Sequence, residues 1–317
     1  MHDLQPFPAG MNAATVQEGT PTLSVVVPTR NRAEHALGCV RTILHGDGFD
    51  ELIVVDQSDG ADTEAALATL ADPRLRCLRS GLRGATNARN AGIEASKGEV
   101  IAFTDDDCRV APDWSANIAR VFAGDPDAAV VCGRVVVPAE MQREGFAIAF
   151  EPEVREWQGR FPRPGHDWGI TANFAVRRAA FARVGTFDAL LGPGAPLVCG
   201  EEPDFLFRVL KAGLKVVNAR EVLVEHLGVR AHGLESSKLF RIYAAGTSAA
   251  LFKHVRLGDI DAIGLYLRHL GGCARLIFTN LVHLHRPLGV GYTLAFLSGA
   301  VASLKYRIDR QRRLYLP

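Results

Sequence analysis

The chain has 317 residues, 48% of them hydrophobic and 22% charged, and a net charge of +1. That length suits one large domain with an appendage, or two domains, in an ordinary globular composition, and so even a charge balance excludes bulk affinity for nucleic acid. The six cysteines include no C-x-x-C pair and are scattered along the chain, which argues against a zinc site or disulfide frame and for a reducing compartment.

Residues 1–20 are rich in Pro, Gly, Ala and polar side chains, with no apolar run behind a basic start, and are expected to form a disordered leader rather than a signal peptide. Four short runs then read as strands: LSVVVPT (23–29), ELIVVD (51–56), RLRCL (74–78) and EVIAFT (99–104). Between them, Glu34 to Leu44, Asp62 to Leu70 and Ala85 to Ser96 have helical composition and periodicity. Strands apolar on both faces, spaced by single helices, predict βαβ units and a parallel sheet covered on both sides. Ligands bind such sheets beyond the carboxyl ends of the strands.

The polar clusters fall at those ends. PTRNR (28–32) follows the first strand, DQSDG (56–60) the second, and the acidic triplet Asp105, Asp106 and Asp107 the fourth. Taken alone, the triplet fits either a solvated turn before a helix start near Asp113 or a site for a hard divalent cation. Ahead of the fourth strand, Arg83, Asn87, Arg89 and Asn90 surround a glycine-rich helix start, a setting suited to an anion such as phosphate. A nucleoside diphosphate with its metal would engage every one of these clusters.

Five ordered blocks, SVVVPTRNR, VVDQSDG, GATNARNAGIEASKGEVIAFTDDD, TANFAVRRAAFARVGTFD and GEEPDFLFRVLKAG, make the chain resemble family 2 glycosyltransferases over about residues 22 to 228. The resemblance implies the GT-A fold: a Rossmann-like, mostly parallel α/β sheet flanked by helices, here with a C-terminal helical extension. It matches the triplet to the D-x-D motif, which binds a divalent metal and the ribose and diphosphate of a nucleotide sugar. Asp105 and Asp107 would form the metal and ribose pair, while Asp106, counted with the nucleotide-sugar residues, would point elsewhere and cap or solvate the turn. Pro28, Thr29 and Arg30 would lie beside the nucleoside and Asp56 near the base edge, where a carboxylate accepts the N–H of uracil, thymine or guanine. Many relatives carry a second Asp where this chain has Gln57, so the base stays open among UDP-, dTDP- and GDP-sugars. Arg83 and Arg89 would serve the base or phosphates, or be surface ion pairs.

The family's base lies in a G-E-D-like motif, matched by Gly200 to Asp204, with Glu202 at the aspartate position and Glu201 as its rival. Both acids also suit the first turn of a helix that has Pro203 inside it. An inverting transfer of a hexosyl or deoxyhexosyl group needs such a carboxylate to take the proton of the acceptor hydroxyl. His226 is expected as a further metal ligand, with Mn²⁺ and Mg²⁺ both compatible. Trp168 and Asn173 are expected to wall the donor sugar or acceptor.

From about residue 231 to 317 the pattern turns helical and basic. Pro287 to Leu304 is an uncharged run of 18 residues, the lower edge of the membrane-spanning range. Three readings stay open for this region: contact with a membrane surface or lipid acceptor, a soluble cap or homodimer contact, and a true span. The activity expected is sugar transfer to a hydroxyl of a cell-surface glycan or lipid-linked acceptor, in the cytoplasm or peripherally on the inner face of the plasma membrane. The alternatives are a non-catalytic nucleotide-sugar-binding scaffold, a donor hydrolase, and a sugar-1-phosphate nucleotidyltransferase. The last is disfavoured because no G-x-G-x-R loop lies near the first strand.

Overall fold

The computed structural model of the protein describes residues 19–143, 145, 147–162, 168–230, 234–283 and 289–317. The expected leader falls almost wholly outside the described residues. In chain order the elements are β1 (Leu23–Thr29), α1 (Ala33–Leu44), β2 (Glu51–Asp56), α2 (Asp62–Ala68), β3 (Leu75–Arg79), α3 (Ala85–Ala95), β4 (Val100–Phe103), β5 (Cys108–Val110) and α4 (Trp114–Gly124). They continue with β6 (Ala128–Val136), α5 (Ala139–Gln142), β7 (Glu156–Trp157), β8 (Phe174–Arg177), α6 (Arg178–Val184), α7 (Glu201–Lys211) and β9 (Lys215–His226). The C-terminal part holds α8 (Leu234–Arg256), α9 (Ile260–Val282), α10 (Val290–Ser303), β10 (Arg307–Asp309) and β11 (Leu314–Leu316).

Every residue of β1 is buried, as expected of a strand covered by helices on both faces. Helix α1 buries Ala36, Cys39, Val40 and Ile43, one stripe at helical spacing. Helix α3 lies so close to the sheet that a Cβ on Gly92 would stand 2.3 Å from Val26 Cγ1. The main sheet runs β3-β2-β1-β4-β8-β6-β9-β5, with β7 paired to β9. It is parallel from β3 through β4 and mixed beyond, because β8 runs antiparallel to both β4 and β6. The chain moves outward from β1 to β3, then returns across β1 to place β4 on its other side. That reversal makes the carboxyl ends of β1 and β4 a topological switch point, the crevice where open α/β sheets take ligands.

The C-terminal helices are joined to the sheet domain by buried charge. Asp204 Oδ1, at the start of α7, accepts from Lys253 Nζ at 2.6 Å and pairs with His254 Nε2 at 2.9 Å, both on α8. Arg208 holds its other oxygen at 3.0 Å. Lys253 also reaches Asp188 Oδ2 at 2.6 Å, and that oxygen accepts the Tyr315 backbone N–H of β11 at 2.8 Å. Helix α8 further presses on the α7 start: a Cβ on Gly246 would stand 2.5 Å from the backbone carbon of Cys199. Gly200, which caps α7 at φ 102°, is thus confined to glycine by conformation and by contact alike. The β10–β11 hairpin after α10 was not anticipated; its strands are only three residues each. Among the described residues no helix is long and apolar enough to cross a membrane, and α10 has 14 residues.

Candidate active site

The loops after β1 and β4 meet at the switch point, and the three triplet carboxylates diverge there. Asp106 turns inward: its Oδ2 accepts from Thr29 Oγ1 at 2.8 Å and its Oδ1 from Arg32 Nη1 at 2.6 Å. Burial pushes this carboxyl up to about 6 against the pull of Arg32 and the Thr29 hydroxyl. Asp106 and the buried Thr29 therefore brace the two loops: Asp106, counted with the nucleotide-sugar residues but expected to point elsewhere, turns inward, and the Thr29 hydroxyl, expected beside the nucleoside, is spent on it. Pro28 is likewise buried within β1.

Asp105 accepts from Arg89 Nη2 at 2.6 Å. Arg89 is 3% exposed and reaches Glu201 Oε1 with Nη1 at 3.4 Å. This corrects the assignment of Arg89 to the base or phosphates: the guanidinium is sealed between two acids 96 positions apart, and together with Asp105 it closes the gap between the triplet and the α7 start. Burial, with the Glu202 charge next, pushes Glu201 up to about 8, and its Oε2 has no partner. Glu201, the other acid expected as a candidate base, is buried at 2% exposure. Glu202 stands half-buried at the helix start, with Oε1 accepting from the Thr171 backbone N–H at 3.1 Å and from Thr171 Oγ1 at 2.9 Å.

Asp107 receives Arg32 Nη1 at 3.2 Å and has His226 Nε2 3.7 Å from its Oδ1. One ligand atom each from Asp107, Cys108 and His226 lie within 4.8 Å of one another, and β5–β9 pairing sets Cys108 opposite His226. The residues fit a cation. His226 Nδ1 is a buried atom without a partner, and a Cβ on Gly228 would stand 2.5 Å from Asp107 Oδ2, so glycine keeps the carboxylate clear. Burial and the neighbouring carboxylates push the Cys108 thiol well up, which leaves Asp107 and His226 as the useful ligands for a hard ion. Asp105, expected as the second metal carboxylate, lies outside this group.

At the end of β2, where a nucleoside was expected, Asp56 is fully buried, taking Arg79 Nη1 at 2.9 Å and the Ser58 N–H at 2.8 Å. The expected open base edge is therefore covered by Arg79. Gln57 donates to the Leu82 and Gly84 carbonyls and holds the loop before α3. Arg30 and Arg83 are exposed, and both face Asp59, at 3.8 and 2.7 Å. A cavity lined by Asn31, Arg32, Ser58 and Thr63 opens next to them. Asn87 and Asn90 are spent on backbone, the first on Arg83 O and the second on Phe187.

The two expected wall residues are corrected. Trp168 packs in the main hydrophobic cluster. Asn173 is a buried staple: Oδ1 accepts from Trp114 Nε1, and Nδ2 donates to the Arg134 and Val222 carbonyls, each at 2.8 Å. Arg32, Arg79 and Thr171 are the site residues that the sequence reading missed. Arg32 was visible as the last residue of PTRNR; Arg79 depends on β2–β3 register, where it faces Asp56; Thr171 has no local signal, being 31 positions from Glu202.

The family model for glycosyl transferase family 2 matches residues 24–191, more than half of the chain. The chain belongs to glycosyl transferase family 2. In this family 2 member the match takes in the triplet and ends before Glu202 and His226. Succinoglycan biosynthesis protein ExoO of Rhizobium meliloti is 35% identical over 105 residues, 32% of this chain and 30% of that protein. Glycosyltransferase AglE of Haloferax volcanii is 25% identical over 253 residues, covering 78% of this chain and 80% of its own. The solved mannosyltransferase PcManGT from Pyrobaculum calidifontis, in complex with GDP-Man and Mn²⁺, aligns with a TM-score of 0.55 at 17% identity, over 96% of this chain and 89% of that one. That likeness shows the GT-A fold. The chain spans less than half the length of the first curated relatives it matches, 17% and 44% for the first two.

Proposed function

We propose that this family 2 member is an inverting, metal-dependent glycosyltransferase, moving a hexosyl or deoxyhexosyl group from a nucleotide sugar to a hydroxyl of a surface glycan or lipid-linked acceptor. The observation that carries the reading is Arg89, which holds Asp105 with one amino group and Glu201 with the other. It makes the acidic triplet and the Glu201–Glu202 helix start one construction, which supports reading them as the diphosphate side and the base side of a single transfer site.

The roles follow from what each side chain has left to offer. Glu202 is fixed through Oε1 by Thr171, which leaves Oε2 to take the acceptor proton. As the acceptor oxygen bonds to the anomeric carbon from one side, the bond from that carbon to the diphosphate breaks on the other, and the nucleoside diphosphate leaves. Asp107 and His226 would hold the metal, which when bound supplies charge for the leaving diphosphate as a Lewis acid. Arg30, Arg83 and the cavity beside Arg32 suit the nucleoside, whether uridine, thymidine or guanosine. The two-point hold on Glu202 favours an enzyme over the scaffold reading, since a helix cap needs no such grip. Donor supply would place the work in the cytoplasm.

A panel of nucleotide sugars, screened by thermal shift with and without Mn²⁺, should find one donor whose stabilisation depends on the metal. With that donor, Glu202→Gln should lower transfer by about 10²–10⁴-fold while the donor shift is retained. Full transfer by Glu202→Gln would remove the assigned base, and product consisting only of free sugar would mark a hydrolase.

A further inference from the structure

Helices α9 and α10 each carry two apolar faces, and only one is used. On α9 the inner face buries Leu265, Tyr266, His269 and Cys273; on α10 it buries Phe296, Gly299 and Ala300. The inner faces meet each other, with His269 stacked on the Phe296 ring at 4.1 Å, and both helices pack on α8. Gly299 approaches α8 so closely that a Cβ would stand 2.0 Å from the Ala245 carbonyl oxygen.

The outer faces are apolar as well. On α9, Ile260, Ile263, Leu267, Phe278 and Leu281 are exposed, and at about 100° per residue they fall on one stripe. On α10, Val290, Leu294, Leu297 and Val301 are exposed, and Leu304 continues their line. Phe278 is 68% and Val301 66% exposed, values that a solvated helix surface rarely shows in series. The stripes lie opposite the faces packed on α8, so both look out of the bundle.

Charge identifies the occupant. From Ala262 to Ile308 the chain contains no Asp or Glu, yet it contains Arg268, Arg275, Arg286, Lys305 and Arg307. Arg268 and Arg275 are exposed along one border of the α9 stripe, and Lys305 and Arg307 are exposed just past the end of α10. A second copy meeting this surface about a two-fold axis would set cations against cations, since Asp261 beside Ile260 is already paired with Lys211 at 2.6 Å. The α10 stripe also spans only two heptads, short of the roughly three to four that a coiled-coil pairing sustains.

We propose that the outer face of the α9–α10 hairpin docks flat on an anionic lipid bilayer, its apolar stripes in the interface and its arginines and lysines among the headgroups. Apolar area and attraction to anionic lipid together set the strength of such binding. It needs no spanning helix, and it is independent of the donor chemistry.

The test is sedimentation of the full chain with vesicles of phosphatidylcholine, with and without phosphatidylglycerol. The wild type should pellet with the anionic vesicles and about tenfold less with the neutral ones. Raising salt from about 0.1 to 1 M, which shortens the screening length from about 10 to 3 Å, should weaken binding severalfold. Phe278→Glu with Val301→Glu should reduce partitioning about tenfold or more, since each removes a large apolar side chain that the bilayer would bury. Arg268→Glu with Arg275→Glu should abolish the preference for anionic lipid. Both stripe sites are exposed, so the thermal midpoint and the donor-induced shift should stay at wild-type values, which separates failure of docking from failure of the transfer site. Failure of the wild type to pellet would overturn the proposal, as would pelleting unchanged by the stripe substitutions. So would a stable dimer that those substitutions dissolve, because a second copy would then be the occupant.

Discussion

Arg89 sits between two acids in unlike surroundings, the part-exposed Asp105 and the buried Glu201. Its contact with Asp105 is 2.6 Å and that with Glu201 3.4 Å, so the closer hold is on Asp105. Burial, with the Glu202 charge next, raises Glu201 well above the ordinary carboxylate range, which favours its protonated form in the fold. A carboxyl raised in this way adds stability below its unfolded value near 4.5 and loses it as pH rises toward 8. Glu201→Gln, which imitates the neutral acid, should thus change unfolding free energy at pH 7 by under about 1 kcal/mol and gain on the wild type as pH increases. Arg89→Met leaves Asp105 without its counter-charge and should cost about 3 kcal/mol. Urea unfolding of both variants at pH 6 and 8 checks the pair; equal losses at pH 6 would mean that Glu201 is ionised.

At the scale of elements, α7 carries Glu202, the proposed base, and α8 holds α7 in place. The buried cluster contains Asp188 and Asp204 against Lys253 and Arg208, and it is electrically balanced only while His254 is neutral. The geometry assigns the tautomer: Nε2–H donates to Asp204 Oδ1, and Nδ1 is buried without a partner. Burial, with Lys253 and Arg208 adding to it, outweighs Asp204 and lowers His254 from 6.5 to about 4. A depressed histidine contributes stability above its unfolded value and loses it as pH falls between about 6.5 and 4. Unfolding free energy should fall by about 2 kcal/mol from pH 7.5 to 5 through this group. His254→Gln, whose amide can replace the Nε2 donor, should flatten that slope, as a urea series across the range would show.

For the molecule as a whole, this arrangement makes the helical region part of the same fold as the sheet domain. A chain ending at residue 230 would keep the family-matched stretch but lose Lys253, leaving the buried Asp188 and Asp204 short of charge. It would also lose Gly246, whose contact covers the backbone at Cys199 and Gly200. Such a truncation should lack a cooperative thermal transition; soluble, cooperative folding with donor binding retained would show that the sheet domain stands alone. The outward stripes of α9 and α10 belong to this scale too, because they become a surface only once α8 has taken the inner faces.

Local periodicity and motif order by themselves determined the first half of this protein. Strands β1, β2 and β4, their helices and the family all follow from apolar runs and punctuated polar ends, since neighbours in sequence are neighbours in a βαβ sheet. The positions of Glu202 and of the triplet were legible for the same reason. Which triplet carboxylate faces which partner was not: Asp106 turns to Thr29 and Arg32 while Asp107 turns to His226, and consecutive acids in a turn carry no sign of their directions. Asn173 and Trp168 looked like site walls because polar and aromatic residues near a motif suit a ligand and a core equally, and only packing chose the core. Glu201 and Glu202 differ by burial alone, set by how α3, α7 and α8 converge. Tertiary structure decided these points because long-range contact fixes burial, and burial fixes which charges remain available for chemistry.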